Sequence, residues 1–304
     1  MTAIEHVLIL GAGGLGAVYA HLCHTAGLHV GVVASGDRYD RYTSEGFYIN
    51  DTPVSIPIIH ADTTDFTADL IIVATKYHHL DEALPDLKNF VADHTVFISL
   101  LNGLTSEDNI GDHYGHNKTL LAISMNLDAV REGNRIYHSR GPLLIFGEPD
   151  NTTLSERVQR VHAFLERVGI DYQTPEDMRR MLWWKFMINV GMNQSSAVTG
   201  ATYGQYKTDP DLRWLKESLM GEVVAVAQAE GVNLTDADVT SFYKTIDIIA
   251  EDGKTSMLQD IEAHRKTEVE MFGPVVMRLG EKHNIPTPVN QTITAVIRTI
   301  EAQF

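Results

Sequence analysis

"HVLILGAGGLGAVYAHLCHTAG" (6–27) opens with a short apolar run, turns through glycines and closes as a helical pattern ending at Gly27. The turn reads Gly11-Ala12-Gly13-Gly14-Leu15-Gly16, a G-x-G-x-x-G. In that pattern the first glycine permits the tight turn and the second lets the backbone approach a pyrophosphate. The third lets the helix sit close to the strand, so that its N-terminal amides face the anion. A lone G-x-G-x-x-G is a weak signal. A strand before it and a helix after it are the context the motif requires, and both are present. Residues 11–16 are therefore candidates for binding a dinucleotide.

The flanking sequence repeats the strand–helix alternation. "HVGVV" (29–33), "DLIIVAT" (69–75), "TVFISLLNG" (95–103) and "TLLAISM" (119–125) read as strands, and "NRIYHS" with "PLLIFG" (134–147) as a further pair. The apolar character of 69–75 along its whole length suits a strand covered on both faces. Alternating β and α predicts a parallel, doubly wound sheet. Beyond residue 150 the texture becomes helical. "LSERVQRVHAFLERVG" (154–169) is amphipathic, and helical patterns follow at 176–198, 211–230, 236–250, 266–283 and 288–303. The fold class expected is α/β: an N-terminal Rossmann-type doubly wound sheet over 1–170, then an all-α C-terminal domain over 171–304.

Composition narrows the partners. The chain of 304 residues has 24 Lys plus Arg against 40 Asp plus Glu, a formal charge of -16, which disfavours nucleic acid and anionic membranes. A small anionic substrate would need local cations to hold it. No stretch reaches the roughly 18 apolar residues of a membrane span. The N-terminal residues lack the basic start of a secretory signal, and the one cysteine, Cys23, excludes an internal disulfide. A cytoplasmic protein is expected. Apolar positions on the C-terminal helices are compatible with a homodimer.

One segment of the helical half is unusual. "MLWWKFMINVGMNQ" (181–194) is largely apolar, yet sets Lys185, Asn189 and Asn193 four residues apart. That spacing returns side chains to one helical face. The result is a polar seam, cationic at one end.

Taken in order, "GAGGLG" (11–16), "ATK" (74–76), "LLNG" (100–103), "WWKFMINVGMNQ" (183–194), "SMLQD" (256–260) and "RKTEVE" (265–270) resemble the ketopantoate reductase (2-dehydropantoate 2-reductase) family over nearly the whole chain. The resemblance implies NADPH-dependent reduction of ketopantoate to pantoate. It also implies that Lys185 is the catalytic lysine and Glu268 the acidic residue sharing its site. Asn189, Asn193 and Ser256 fall on substrate-contacting positions. Lys76 and Asn102 fall near the nicotinamide end of the cofactor, with Asn102 also at the substrate, and Ala129 aligns with a backbone contact to the cofactor.

Two positions depart from the family. Ser35 stands where an arginine often recognises the 2′-phosphate, a role left to Arg38, and Gly253 replaces a common asparagine. Both suit an alternative within the family, an NADH-dependent D-2-hydroxyacid dehydrogenase acting on bulky 2-keto acids. An alternative of another class is a nucleotide-sensing binding protein without catalysis.

The chemistry expected is ketone reduction, in which negative charge builds on the carbonyl oxygen. A buried lysine stabilises that charge and donates the proton, while a carboxylate such as Glu268 restrains its pKa shift. Plainer readings stand beside these roles. Lys185 could snorkel to the surface, Asn189 and Asn193 could bridge helices, and Asn102-Gly103 is also a turn dipeptide. Ser256 heads an S-x-x-Q capping box, Glu268 could serve a helix start, and Lys76 could be ordinary surface charge. His78 and His79 are adjacent and expected to point apart on a helix, and no metal site is expected.

Overall fold

The computed structural model describes residues 2–241 and 250–304, and the chain divides into two compact units. One comprises residues 1–101 and 105–179, the other 102–104 and 180–304. Of the helix expected at 236–250, residues 236–241 are helical and 242–249 lie outside the described residues.

The first unit is built on eight strands. β1 (His6–Leu10), β2 (His29–Ala34), β5 (Ile58–His60), β6 (Leu70–Val73), β7 (Val96–Ser99) and β8 (Thr119–Met125) are parallel. Across the sheet they run β5-β2-β1-β6-β7-β8. Counted in chain order this is the 3-2-1-4-5-6 arrangement of the Rossmann fold, with its reversal between β1 and β6. β6 and β7 are buried at every residue, as strands with both faces covered must be. The helix α1 (Gly14–Thr25) follows β1 directly, and its buried Ala17, Val18, Ala20 and Cys23 join the sheet core.

Beyond β8 the sheet adds β11 (Leu143–Gly147), antiparallel, and β12 (Asp171–Gln173), parallel to β11. Between those strands runs α5 (Glu156–Val168), capped by Ser155 and ended by left-handed Gly169. The first unit thus continues past residue 170. Asn151 ties the extension down, its Nδ2 donating to Pro175 O at 2.8 Å and its backbone N–H to Glu176 O at 2.7 Å.

A second, four-stranded sheet combines β4 (Thr52–Val54), β3 (Phe47–Ile49), β10 (Arg135–Tyr137) and β9 (Val130–Glu132) in that order. Both segments read as strands over 134–147 do form strands, and they join different sheets. β10 pairs with β9 and β3, and β11 pairs with β8. β11 is apolar throughout and buried over its last four residues, as a strand inside the large sheet must be, whereas β10 buries only Ile136.

The second unit is helical, with no strand among its described residues. Its elements are α6 (Met178–Thr199, continuing from the first unit), α7 (Gln205–Thr208), α8 (Pro210–Ala229), α9 (Ser256–Glu262), α10 (Gly273–His283) and α11 (Pro288–Glu301). α6 is an interior helix, and even its polar Gln194, Ser195 and Ser196 are fully buried. Each of these finds partners. Gln194 bridges Asn290 Oδ1 and the Gly273 N–H, Ser195 meets Tyr206 and Ser196 meets Thr255. Left unpaired, any one of them would cost about 1–3 kcal/mol.

The helix expected over 266–283 is broken. Residues 269–271 form a 3₁₀ turn, Phe272 leaves helical geometry, and α10 restarts at Gly273-Pro274. Proline is tolerated there because the first turn needs no intrahelical N–H donor. No helix among the described residues is long and apolar enough to cross a membrane.

Candidate active site

The glycine loop stands where β1 gives way to α1. Gly11 has φ +97°, and a Cβ there would fall 2.7 Å from Thr75 N. A Cβ on Gly16 would fall 1.9 Å from the Gly11 carbonyl oxygen, so helix and loop touch only because residue 16 is glycine. Gly13 differs. Its φ is an ordinary -68°, and a Cβ there would meet nothing nearer than Ala74 O at 3.9 Å. No described residue crowds that position, so glycine there leaves the backbone open to close approach by an external group. α1 begins at Gly14 with no acidic side chain in its first turn and no side-chain cap. Its first N–H groups are thus left for an anion. The loop fits a dinucleotide pyrophosphate.

Of the other residues expected around the cofactor, Ala129 lies on the loop, its carbonyl 2.9 Å from a Cβ built on Gly14. Ala74 of the "ATK" run packs on the loop as well, and Lys76 follows as an exposed residue opening the 3₁₀ turn Tyr77–His79. His78 and His79 occupy that turn rather than an α-helix, and their rings are 4.3 Å apart rather than diverging. No group of three or more potential metal-binding side chains occurs among the described residues. Arg38 is half-buried on α2 (Gly36–Glu45), with no hydrogen bond or ion pair to a described residue.

Two residues not singled out by the sequence stand at this site. Arg131 on β9 donates to the Ala12 carbonyl and, through Nε, to Gly133 O at 2.7 Å. Its guanidinium stacks 5.4 Å from the Tyr42 ring centre and 5.6 Å from that of Phe47. Asp86 accepts a hydrogen bond of 2.9 Å from Ser35, immediately after β2. Neither carries a spacing signal, because each arrives from an element remote in sequence. The cavity of about 410 Å³ edged by His6, His24, His29 and Phe66 adjoins the opposite, N-terminal ends of β1 and β2, so it is not part of this site.

In the second unit four expected residues come together. Ser256 Oγ donates to Asn193 Oδ1 at 3.1 Å, and the Met257 N–H reaches the same oxygen at 3.3 Å. Asn193 Nδ2 donates to Asn189 Oδ1 at 3.3 Å, and Asn189 Nδ2 to Asn102 Oδ1 at 3.0 Å. The result is a directed row of amides whose rotamers are held by one another. Each Nδ2 retains an N–H for a ligand, and Asn102, half-buried, keeps both of its own. Ser256 is not the cap of α9. Thr255 takes that place, accepting from the Leu258 N–H at 3.2 Å, which leaves the Ser256 hydroxyl to the amide row.

Lys185 lies one turn before Asn189 on α6. Its ammonium makes no hydrogen bond or ion pair with a described residue, and burial alone holds its pKa below the usual lysine range. Glu268 is buried and begins the 3₁₀ turn 269–271, but it forms no ion pair with Lys185. The carboxylate expected to restrain the lysine's shift is therefore not engaged with it. Gly253 packs under Tyr203, where a Cβ would lie 3.0 Å from the ring and 3.0 Å from Ala250 O.

The description "Ketopantoate reductase PanE/ApbA" matches residues 7–151, and "Ketopantoate reductase PanE/ApbA C terminal" matches 177–301. The 2-dehydropantoate 2-reductase of Streptococcus pyogenes serotype M3 is 30% identical over 251 residues, which is 82% of this chain and 81% of that protein. Its namesake in Aquifex aeolicus is 23% identical over 302 residues, 97% and 96% of the two chains. Among solved structures, D-mandelate dehydrogenase with NADH and anilino(oxo)acetate has a TM-score of 0.88 at 19% identity, covering 98% of this chain and 99% of that one. The dimeric ketopantoate reductase from Staphylococcus aureus has a TM-score of 0.78 at 24% identity, covering 98% and 99%. The structural likenesses speak for the fold, and the two sequence matches span both units: the chain belongs to the ketopantoate reductase family.

Proposed function

We propose that the protein reduces a 2-keto acid with a nicotinamide dinucleotide, ketopantoate to pantoate being the reaction its family points to. The observation that carries the reading is the unpaired ammonium of Lys185 on the same helical face as the hydrogen-bonded Asn189 and Asn193. The glycine loop 11–16, with Ala129 beside it, holds the dinucleotide. When bound, the nicotinamide supplies a hydride to the keto carbon.

The chain's own residues do the rest. The spare amide N–H groups of Asn102, Asn189 and Asn193 and the Ser256 hydroxyl bind and orient the carboxylate and carbonyl of the keto acid. Their mutual hydrogen bonds fix them beforehand, so little reorganisation accompanies substrate entry. Lys185 stabilises the developing oxyanion and then donates its proton to it. A lysine whose acidity burial has raised, with no carboxylate to hold its proton back, suits that step. Glu268, buried in the same unit and with a partner of its own, is assigned to bind a substrate hydroxyl.

Lys185→Ala should lower kcat by about 10²–10⁴-fold while dinucleotide affinity changes little. A mutant of near wild-type rate would remove Lys185 from the chemistry. A second reading, a D-2-hydroxyacid dehydrogenase for bulkier keto acids, is favoured by the Tyr203 ring packed on Gly253 in place of an amide side chain. Rates with ketopantoate, 2-ketoisocaproate and phenylglyoxylate, each with NADH and NADPH, decide between the two. Faster turnover of phenylglyoxylate than of ketopantoate would select the second.

A further inference from the structure

In a sheet of this order, the group that follows the second strand meets the adenosine ribose. A carboxylate there accepts from the ribose hydroxyls, and a cation accommodates a 2′-phosphate. No acidic residue follows β2 directly: the chain continues Ser35-Gly36-Asp37 into α2. Ser35 occupies the N-cap position of α2, yet its hydroxyl does not cap. N-cap serines ordinarily accept from a helix N–H, and that stabilising bond is left unmade. Here the hydroxyl donates to Asp86 Oδ2 at 2.9 Å. Asp86 comes from the 3₁₀ turn Leu84–Leu87, is half-buried, and its Oδ1 makes no hydrogen bond or ion pair with a described residue.

We infer that Asp86, held by Ser35, is the cofactor-selecting residue of this chain and that it selects NADH. This rests on the dinucleotide reading of the glycine loop. The carboxylate comes from outside the segment in which sequence alone would look for it, and it stands beside the strand end where the ribose diol needs an acceptor. With one oxygen engaged by Ser35, the other remains for a ribose hydroxyl. A 2′-phosphate in the same place would meet a like charge, the arrangement by which sites reject wrong partners. Of the two arginines on α2, Arg41 is drawn over the Tyr42 ring, 5.4 Å from its centre, and Arg38 is half-buried; neither pairs with Asp86. The NADPH implied by the family resemblance is thus opposed at the one position that distinguishes the two cofactors.

Titration of the purified protein with NADH and with NADPH, followed by nicotinamide fluorescence, tests this without reference to any substrate. The wild type should bind NADH at least about tenfold more tightly than NADPH. Asp86→Asn keeps a partner for Ser35 and removes the charge, so it should shrink that ratio at least about fivefold, chiefly by improving NADPH. Ser35→Ala, which frees the carboxylate from its anchor, should shrink it less. Tighter binding of NADPH by the wild type, or an unchanged ratio in Asp86→Asn, overturns the inference and leaves the dinucleotide reading standing. Binding of neither nucleotide by a folded protein overturns both.

Discussion

Glu107 sits in the first turn of α4 (Ser106–Tyr114), buried, accepting from the Ser106 hydroxyl at 2.8 Å, while Ser106 accepts in turn from Ser99 at 2.8 Å. Burial raises its pKa to about 7, outweighing the hydrogen bonds that favour the charged form. In the unfolded chain the carboxyl titrates near its ordinary value. Between that value and about 7 the folded state binds more protons, so stability falls as pH rises through the window. Glu107→Gln should therefore be neutral near pH 4 and stabilise by about 2–3 kcal/mol above pH 7. Urea unfolding at the two pH values checks it, and equal effects at both would refute the assignment. Lys185 carries the opposite sign. Its lowered pKa means that the folded state resists the charged form, a penalty present at neutral pH and relieved as pH rises through the folded pKa. Lys185→Met should raise the melting temperature at pH 7 while abolishing reduction. The wild-type kcat/KM for reduction should fall on the alkaline side, as the ammonium that donates the proton is lost.

The elements that present these residues make their own predictions. β9 brings Arg131 to the Ala12 carbonyl, so the small sheet buttresses the glycine loop through a charge-assisted hydrogen bond. Arg131→Ala should weaken binding of both dinucleotides by roughly tenfold, the loss expected for one such bond. An unchanged Kd would relieve Arg131 of that role. Thr255 caps α9 and meets Ser196 on α6 at 2.5 Å. Thr255→Ala should cost about 1–2 kcal/mol in stability and raise the KM for the keto acid more than it lowers kcat, because α9 carries Ser256 to the amide row. The contrast between these elements explains what was legible in the chain. β1, β6, β7, β8 and α1 announce themselves through continuous apolar runs and the glycine turn, and Asn189, Asn193 and Ser256 through helical spacing and family motif. β3, β4 and β5 are three residues each, largely without a closed apolar face, and Pro53 sits in β4, so local pattern gives them little weight. Asp86 and Arg131 reach the glycine-loop end of the sheet only through tertiary folding, which no local window contains. Lys185 was legible as an oddity, but not its lack of an ion pair with Glu268, since proximity in a motif does not set the distance between side chains.

For the molecule as a whole, a formal charge of -16 surrounds a loop suited to a polyanionic cofactor. Long-range repulsion should slow its arrival, and salt should relieve that repulsion. The association rate constant for NADH, by stopped-flow fluorescence, should therefore rise between about 10 and 150 mM salt. A rate that falls instead would mean that local cations dominate the approach. The division of the chain has a different consequence. Residues 102–104 belong to the helical unit although both of their neighbours belong to the other, and Gly103 packs toward Met271 while Asn102 accepts from Asn189. During synthesis these three residues emerge long before the helices they join. At ordinary elongation rates, about 10–30 s separate Asn102 from Met271 on the ribosome. Asn102 can therefore join its amide row only after α6 has been made. The gene can be cut into its two halves at residue 179, but the fold cannot, because a fragment beginning at 180 has lost the amide that completes its row.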